Sequence, residues 1–112
     1  SKSDLDRAFK MTSAVPYGLC ELSTKTLALA LKEAPRTSRW LASDLAEAAI
    51  LLEAACLSGR LNVEINLKSM KNKRFVKEKR GQLDRLEKKA AALKNKLLGV
   101  LAGHEAGRPL AG

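Results

Sequence analysis

One segment constrains the fold of this chain more than any other, because it is apolar on every side. Between Leu45 and Leu57, eleven of thirteen residues are apolar, and on a helix they would surround it. The run is too short to span a bilayer, which takes about 20 apolar residues, and it also contains Glu47 and Glu53. Since a helix that is apolar all round is usually buried all round, we predict a buried central helix over 44–67. The alternation of β-branched residues at 61–67 leaves an extended conformation open for its end.

The C-terminal third of the chain has a narrower apolar pattern. From about residue 70 to residue 101, apolar residues recur at steps of three and four and are flanked by charges. This spacing predicts a helix that packs one stripe against a partner helix, in the same chain or in a second copy. The stripe contains Val76, Leu83, Leu86, Ala90, Leu93, Leu97 and Val100, and Lys79 interrupts it.

The N-terminal third predicts two further helices separated at a proline. A first helix begins near Ser3 and ends at Val15, because the residue before a proline is disfavoured in helix and proline suits a first helical turn. A second helix runs from Pro16 to Glu33, and Pro35 ends it. The chain is therefore predicted to be all-α, an antiparallel helical bundle over residues 1–103 with a flexible tail at 104–112. We expect a dimer, since a chain with few bulky core residues gains from association.

The net charge of +9 is confined to one segment. Residues 68–96 contain twelve basic and three acidic residues, whereas the rest of the chain contains nine of each. A positive stripe of this kind attracts anions, and three interpretations stay open: a solvated helix surface, an anion-attracting rim, or binding of nucleic acid or an acidic partner. Nucleic acid is the least favoured of these, because no recognisable DNA- or RNA-binding motif accompanies the charge. No segment predicts a membrane partner.

Residues able to carry chemistry are few. His104 is the only histidine and lies in the predicted tail, which argues against a metal site. Cys20 and Cys56 lie in helical patterns without a Cys-x-x-Cys motif, and we interpret them as buried thiols of a reducing, cytoplasmic compartment. Asn62 and Asn66 share one face of the central helix, and their amides need partners there. That requirement is met either by a hydrogen bond between helices or by a ligand.

Several segments together resemble the C-terminal part of the formiminotransferase-cyclodeaminase family. The resemblance covers residues 4–100, and it is most specific between residues 43 and 67. Its segments are Ser43-Asp44-Leu45, Gly59-x-Leu61-Asn62-Val63-x-Ile65-Asn66-Leu67, Ala14-Val15-Pro16-Tyr17 and, more loosely, Asp6-Arg7-Ala8-Phe9. The family's Gly- and Ser-rich leading segment is missing and the connection between Phe9 and Val15 is short. We therefore expect the domain to be incomplete on its N-terminal side.

The resemblance implies a dimeric helical domain that acts on the one-carbon unit of tetrahydrofolate, which is the substrate, with no separate cofactor. Members either cyclise 5-formiminotetrahydrofolate with release of ammonia or hydrolyse 5,10-methenyltetrahydrofolate, and both reactions need proton transfer. The resemblance places the acid or base at Asp4 or Asp6 and implies substrate contacts from Ser43, Asp44, Asn62 and Asn66. Two alternatives remain: a catalytically silent oligomerisation module of this fold, and a basic helical protein that binds nucleic acid or an acidic partner.

Overall fold

The computed structural model describes residues 1–105, and the chain is helical through almost all of them. Helix α1 spans Lys2–Glu33, α2 spans Ala42–Leu67 and α3 spans Lys73–Glu105, with a single 3-10 turn at Ala34–Arg36. No strand occurs in the described part of the chain, so the prediction of an all-α fold is confirmed. The molecule is elongated and measures 61 × 19 × 16 Å, and each helix of about 30 residues accounts for about 45 Å of its length.

Contacts between the helices fix their directions. The N-terminal part of α1 meets the start of α3, where Asp6 accepts hydrogen bonds from the backbone of Lys71 and Asn72. The far ends of the same two helices meet where the ring of His104 hydrogen-bonds to the carbonyl of Ala34 at 2.9 Å. Helices α1 and α3 are therefore parallel. Helix α2 runs antiparallel to both, because its residues 56–59 contact residues 16–20 of α1.

The core is a thin line of side chains between the three helices. The apolar stripe predicted for α3 packs here within one chain: Val76, Leu83, Ala90 and Leu97 are buried, and its remaining members are half-buried. Helices α1 and α2 contribute mostly small residues, which lets the helix axes approach closely. The buried apolar residues of these two helices are Cys20, Leu27, Ala42, Ala49, Cys56, Val63 and Leu67, and Ala34 of the 3-10 turn is buried with them.

The closest approach of α1 and α2 occurs at Gly59. A Cβ atom there would lie 2.5 Å from the carbonyl oxygen of Pro16 and 2.9 Å from the Sγ of Cys20. Only glycine leaves room for this contact. Beside it, the thiol of Cys20 donates a hydrogen bond to the carbonyl oxygen of Cys56 at 2.9 Å. Both cysteines are buried free thiols, as the sequence predicted.

Ion pairs line the contact between α2 and α3. Arg60 lies 2.6 Å from both Asp84 and Glu87, and Arg80 lies 3.1 Å from Glu64. These ion pairs lie on successive turns and join oppositely charged positions on the two helices. Since a shift of one residue would separate them, they specify the register of α2 against α3 in addition to the apolar stripe.

The predicted break at Pro16 is wrong, because α1 continues through it as one helix of 32 residues. Proline inside a helix removes one hydrogen bond and costs about 3 kcal/mol. Here the packing on both sides of Pro16, including the contact with Gly59, keeps the helix intact. The segment between Phe9 and Val15 is consequently a stretch of α1 and not a connection.

The prediction that α2 is buried on all sides is also wrong for the single chain. Only its side toward α1 and α3 is covered, by small residues. The opposite side exposes more than a third of each of five large aliphatic side chains, because the other two helices, α1 and α3, cannot surround α2. These residues are Ile50, Leu51, Leu57, Leu61 and Ile65. The extended alternative for 61–67 is excluded, since α2 is helical to Leu67.

The end of α3 differs from the predicted tail. The helix continues to Glu105, and the half-buried His104 ties it to the 3-10 turn through Ala34, so this histidine is a structural contact. The rest of the predicted tail, residues 106–112, lies outside the described residues. None of the described helices is both long and apolar enough to cross a membrane.

Candidate functional site

A groove lies between α1 and α2, beside the Pro16–Gly59 contact. It has a volume of about 470 Å³, a mostly apolar wall and two side-chain amides. Its lining residues are Thr12, Val15, Pro16, Leu19, Asn62, Ile65 and Asn66. We refer to it as the α1/α2 groove.

The two asparagines of the sequence prediction lie together in this groove. Asn62 and Asn66 are one turn apart on the flank of α2 that faces α1, Asn62 exposed and Asn66 half-buried. Within residues 1–105 neither side-chain amide hydrogen-bonds to another protein group, so their donors and acceptors are available to a ligand. Within the described residues, these amides therefore do not form the hydrogen bond between helices that was the alternative prediction.

The backbone of α1 adds a further polar group to the groove. Pro16 has no N–H, so the carbonyl of Thr12, four residues earlier, lacks its usual helical donor. The hydroxyl of Thr12 is engaged elsewhere and donates to the carbonyl of Phe9 at 3.1 Å. The groove therefore combines amide donors and acceptors with a carbonyl that lacks its helical donor, between the apolar side chains of Val15 and Ile65.

Ser43 and Asp44 lie far from the paired asparagines. Helix α2 begins at Ala42, and its N-cap residue Leu41 makes no side-chain capping bond, so neither Ser43 nor Asp44 is the capping residue. Both are exposed in its first turn, where Asp44 borders a shallow groove of about 280 Å³. Eighteen residues of helix separate Asp44 from Asn62, which is about 27 Å at 1.5 Å per residue. One chain cannot bring all four predicted contacts to a single ligand.

The two candidate acids also lie outside the α1/α2 groove. Asp4 is exposed and accepts a hydrogen bond from the hydroxyl of Ser1 at 3.0 Å. Asp6 accepts the backbone N–H groups of Lys71 and Asn72, both at 2.9 Å. Asp6 therefore caps the turn that leads into α3, which is a structural role that the sequence did not reveal.

The described residues offer little support for a metal site or for a nucleophilic cysteine. Within 1–105 no group of three or more His, Cys, Asp or Glu residues is placed to hold a metal ion. Burial raises the pKa of Cys20 to about 12, and the neighbouring Cys56 adds to this rise, so the thiol stays protonated at neutral pH. Because a thiolate is the reactive form, Cys20 is unsuited to act as a nucleophile.

Sequence reasoning missed the α1 side of the groove. The Val15-Pro16 pair predicts a helix boundary, whereas in the structure it forms one wall of the groove. A signal was available in the sequence: Thr12, Val15 and Leu19 share one face of a helix once α1 is taken as continuous.

Comparison with known proteins identifies the family to which this chain is similar. A family model described as formiminotransferase-cyclodeaminase, for the C-terminal domain, matches residues 1–85. Searches of curated proteins and of solved structures gave no significant match. The matched range contains α1, α2, the first part of α3 and every lining residue of the α1/α2 groove. This chain belongs to the formiminotransferase-cyclodeaminase family.

Proposed function

We propose that this chain binds a reduced folate in the α1/α2 groove. The observation that carries the proposal is the pair of unpartnered amides, Asn62 and Asn66, in an apolar groove of about 470 Å³. That volume is within the range of about 300–1,000 Å³ typical of small-molecule sites. The family supports the ligand class, since it is related to enzymes of folate one-carbon chemistry.

The groove has the chemistry that a reduced pterin ring requires. The pyrimidine half of this ring is flat and presents a row of hydrogen-bond donors and acceptors along its edge, which amide side chains can match because each carries both kinds of group. The carbonyl of Thr12 offers a further acceptor. Val15, Leu19 and Ile65 supply apolar surface for the face of the ring.

The groove of a single chain contains no carboxylate, although cyclisation with ammonia release and hydrolysis of the methenyl bridge both require proton transfer. We propose that a second copy supplies it. Nine large apolar side chains on the outer sides of α1 and α2 are between 38% and 81% exposed, and a standard interface buries about 800 Å² per partner. This outer face consists of Met11, Val15, Leu19, Leu22, Ile50, Leu51, Leu57, Leu61 and Ile65.

A second copy suits this face for two reasons. The excess positive charge belongs to residues 68–96, mostly on α3, so two copies joined through α1 and α2 keep that charge away from the interface. The exposed positions 50, 54, 57, 61 and 65 follow one another at steps of three and four, which is the pattern of a helix–helix contact. Ala54, near the middle of α2, allows close approach there.

Antiparallel pairing of two α2 helices about Ala54 would complete the site. It sets the first turn of one α2 opposite the last turns of the other. A two-fold axis perpendicular to the helices keeps their flanks on the same side. Asp44 of the partner subunit would then lie beside Asn62 and Asn66, together with Ser43 of the partner subunit. We propose Asp44 as the carboxylate nearest the folate, with Asp4 and Asp6 as the alternatives that the family resemblance favours.

Binding of 5-formyltetrahydrofolate, a stable reduced folate, tests the proposal by titration calorimetry on the full chain. We expect saturable binding, and we expect Asn62→Ala combined with Asn66→Ala to weaken it at least about tenfold, since each lost amide bond costs about 1 kcal/mol. Asn95→Ala, at an exposed asparagine of α3, is the matched control and should leave binding within twofold. Equal losses in the two variants, or no saturation, would exclude the groove.

The second candidate function is a silent oligomerisation module, and the exposed outer face favours it. The same chain would then form a dimer that binds no folate. Ammonia release from 5-formiminotetrahydrofolate, or hydrolysis of 5,10-methenyltetrahydrofolate, distinguishes an enzyme from either non-catalytic form. We propose a cytoplasmic location whether the chain is an enzyme, a folate-binding protein or an oligomerisation module. The free thiols of Cys20 and Cys56 are compatible with that location.

A further inference from the structure

A second groove, on the other flank of α1, combines positive charge with a buried hydroxyl group. It lies between α1 and α3 and has a volume of about 380 Å³. Its lining residues are Lys10, Ser13, Ala14, Tyr17, Glu21, Phe75 and Lys79. None of them lines the α1/α2 groove. We refer to it as the α1/α3 groove.

Ser13 is the unexplained group in this groove. Only 4% of the residue is exposed, yet its hydroxyl has no hydrogen-bond partner. A serine inside a helix usually bonds to the carbonyl four residues earlier, which here is that of Phe9. The hydroxyl of Thr12 already donates to that carbonyl at 3.1 Å. Since a buried hydroxyl without a partner costs free energy, an acceptor supplied by a ligand would stabilise this arrangement.

Two lysines face the same groove, and aromatic rings hold them in place. The Nζ of Lys79 lies 3.9 Å from the ring centroid of Tyr17 and 5.5 Å from that of Phe75, and the Nζ of Lys10 lies 4.6 Å from the Phe75 centroid. Cation–π contacts of this kind position an ammonium group without neutralising it. Within residues 1–105 neither lysine has a carboxylate within 4.0 Å, so both keep their full charge for a ligand.

The charge balance of the groove favours an anion. Glu21 is the one acidic side chain in its lining, against the two lysines. Tyr17 is fixed by its own hydrogen bond, in which its hydroxyl donates to the Oε1 of Gln82 at 3.2 Å, and it presents its ring to the groove. The groove therefore offers two ammonium groups and one hydroxyl donor, and these are the groups that hold phosphate and carboxylate oxygens in other proteins.

We propose that the α1/α3 groove binds a small oxyanion, the phosphate or carboxylate group of a small molecule. Lys10 and Lys79 neutralise its charge, and the hydroxyl of Ser13 donates a hydrogen bond to one of its oxygens. This site goes beyond the proposed folate binding, because it uses a different groove and different residues.

The test is an NMR titration of the full, ¹⁵N-labelled chain with inorganic phosphate and, separately, with acetate, both at constant ionic strength. We expect saturable amide shifts centred on residues 10–17 and 75–79. Tighter binding of phosphate would identify a dianionic oxyanion as the ligand group, and tighter binding of acetate would identify a carboxylate. Lys79→Gln and Lys10→Gln should each weaken binding about three- to tenfold.

Two further variants separate this site from general attraction to a basic surface. Lys77→Gln removes the same charge from an exposed position of α3 that does not line the groove, and it should change the affinity less than twofold. Ser13→Ala should weaken binding while leaving the melting temperature unchanged or higher, because the orphan hydroxyl is removed. The proposal is overturned if no saturable shifts occur, if Lys77→Gln weakens binding as much as Lys79→Gln, or if Ser13→Ala leaves the affinity unchanged.

Discussion

Gly59 decides how closely the two N-terminal helices pack, because nothing larger fits between them. A Cβ atom at this position would lie 2.5 Å from a backbone oxygen, that of Pro16, which cannot move without bending α1. The contact also explains how α1 stays continuous at a proline. The cost of the lost hydrogen bond is offset where the two backbones pack most tightly.

Replacing this glycine tests the close approach directly. Gly59→Ala should lower the free energy of unfolding by about 1–2 kcal/mol, because overpacking costs about 1–3 kcal/mol and the helix preference of alanine returns about 1 kcal/mol. Gly99→Ala is the matched control, since its Cβ would meet nothing within 4 Å, and it should raise stability by up to about 1 kcal/mol. Urea unfolding of the two variants measures both changes. A stabilising Gly59→Ala would contradict the close packing.

Cys20 predicts a loss of stability in alkali. Burial, followed by the effect of Cys56, raises its pKa from 9.0 to about 12 in the folded chain. The unfolded thiol therefore ionises first. The buried, protonated thiol of Cys20 makes its full contribution to the free energy of unfolding below pH 9. That contribution decreases as the pH rises toward 12, by up to about 1.4 kcal/mol per pH unit.

The serine variant isolates this effect from other alkaline titrations. Cys20→Ser keeps a donor for the carbonyl of Cys56 but does not ionise, so its stability should fall less steeply between pH 9 and pH 10.5 than that of the parent chain. Urea unfolding under reducing conditions gives both slopes. Tyr17, whose pKa is raised by burial, by Glu21 and by Cys20 itself, titrates in both proteins, so the comparison is confined to pH values where the two slopes differ most. Parallel slopes would show that the thiol is not protected.

At the scale of the elements, the start of α3 depends on a side chain from α1. Asp6 accepts two backbone N–H groups of the preceding turn, and the Oδ1 of Asn72 accepts the N–H of Phe75 at 3.1 Å. These bonds satisfy donors that a helix N-terminus otherwise leaves free. The cap also joins the first turns of α1 to the α2–α3 connection, whose Met70 is buried in the core.

Loss of this cap has a predictable cost. Asp6→Ala should lower the free energy of unfolding by about 1–3 kcal/mol, whereas Asp4→Ala, at an exposed carboxylate that bonds only to Ser1, should change it by less than about 0.5 kcal/mol. Chemical unfolding of both variants measures the difference. Equal effects would mean that the cap contributes little. Because of this structural role, lost activity in an Asp6 variant would count as catalytic only if stability is matched.

The elements divide clearly into those that local rules predict and those that they do not. The stripe of α3 from Val76 to Leu97 follows directly from its spacing, because one narrow face must be covered. The break predicted at Pro16 is wrong because the rule for prolines considers only neighbouring residues. The contact that preserves the helix is made by Gly59, 43 residues later in the sequence. The outcome for Asn62 and Asn66 was predictable because one helical turn separates them. The distance of both from Asp44 was equally predictable from helical rise alone.

For the whole molecule, the outer face of α1 and α2 predicts a dimer. Leu61→Lys puts a charge in the middle of that face at a side chain that is 68% exposed in the single chain, so it should leave the fold intact and produce a monomer. Leu5→Lys is the matched control, because Leu5 is also exposed but lies outside the face. Sedimentation at micromolar concentration should give twice the 12.1 kDa chain mass for the parent and for Leu5→Lys. A monomeric parent chain would refute the face as an interface.

Mixing of subunits then tells whether the dimer merely forms or also builds the folate site. If each site takes Asp44 from one chain and Asn66 from the other, Asp44→Ala and Asn66→Ala dimers each bind weakly. A hybrid of the two variants contains one intact site and one doubly altered site. Equal mixing should therefore restore about a quarter of the parent's tight sites, since half of the dimers are hybrids under random exchange. Titration with 5-formyltetrahydrofolate before and after exchange counts them. A site built within one chain gains nothing from mixing, because every chain in the mixture still carries one of the two changes.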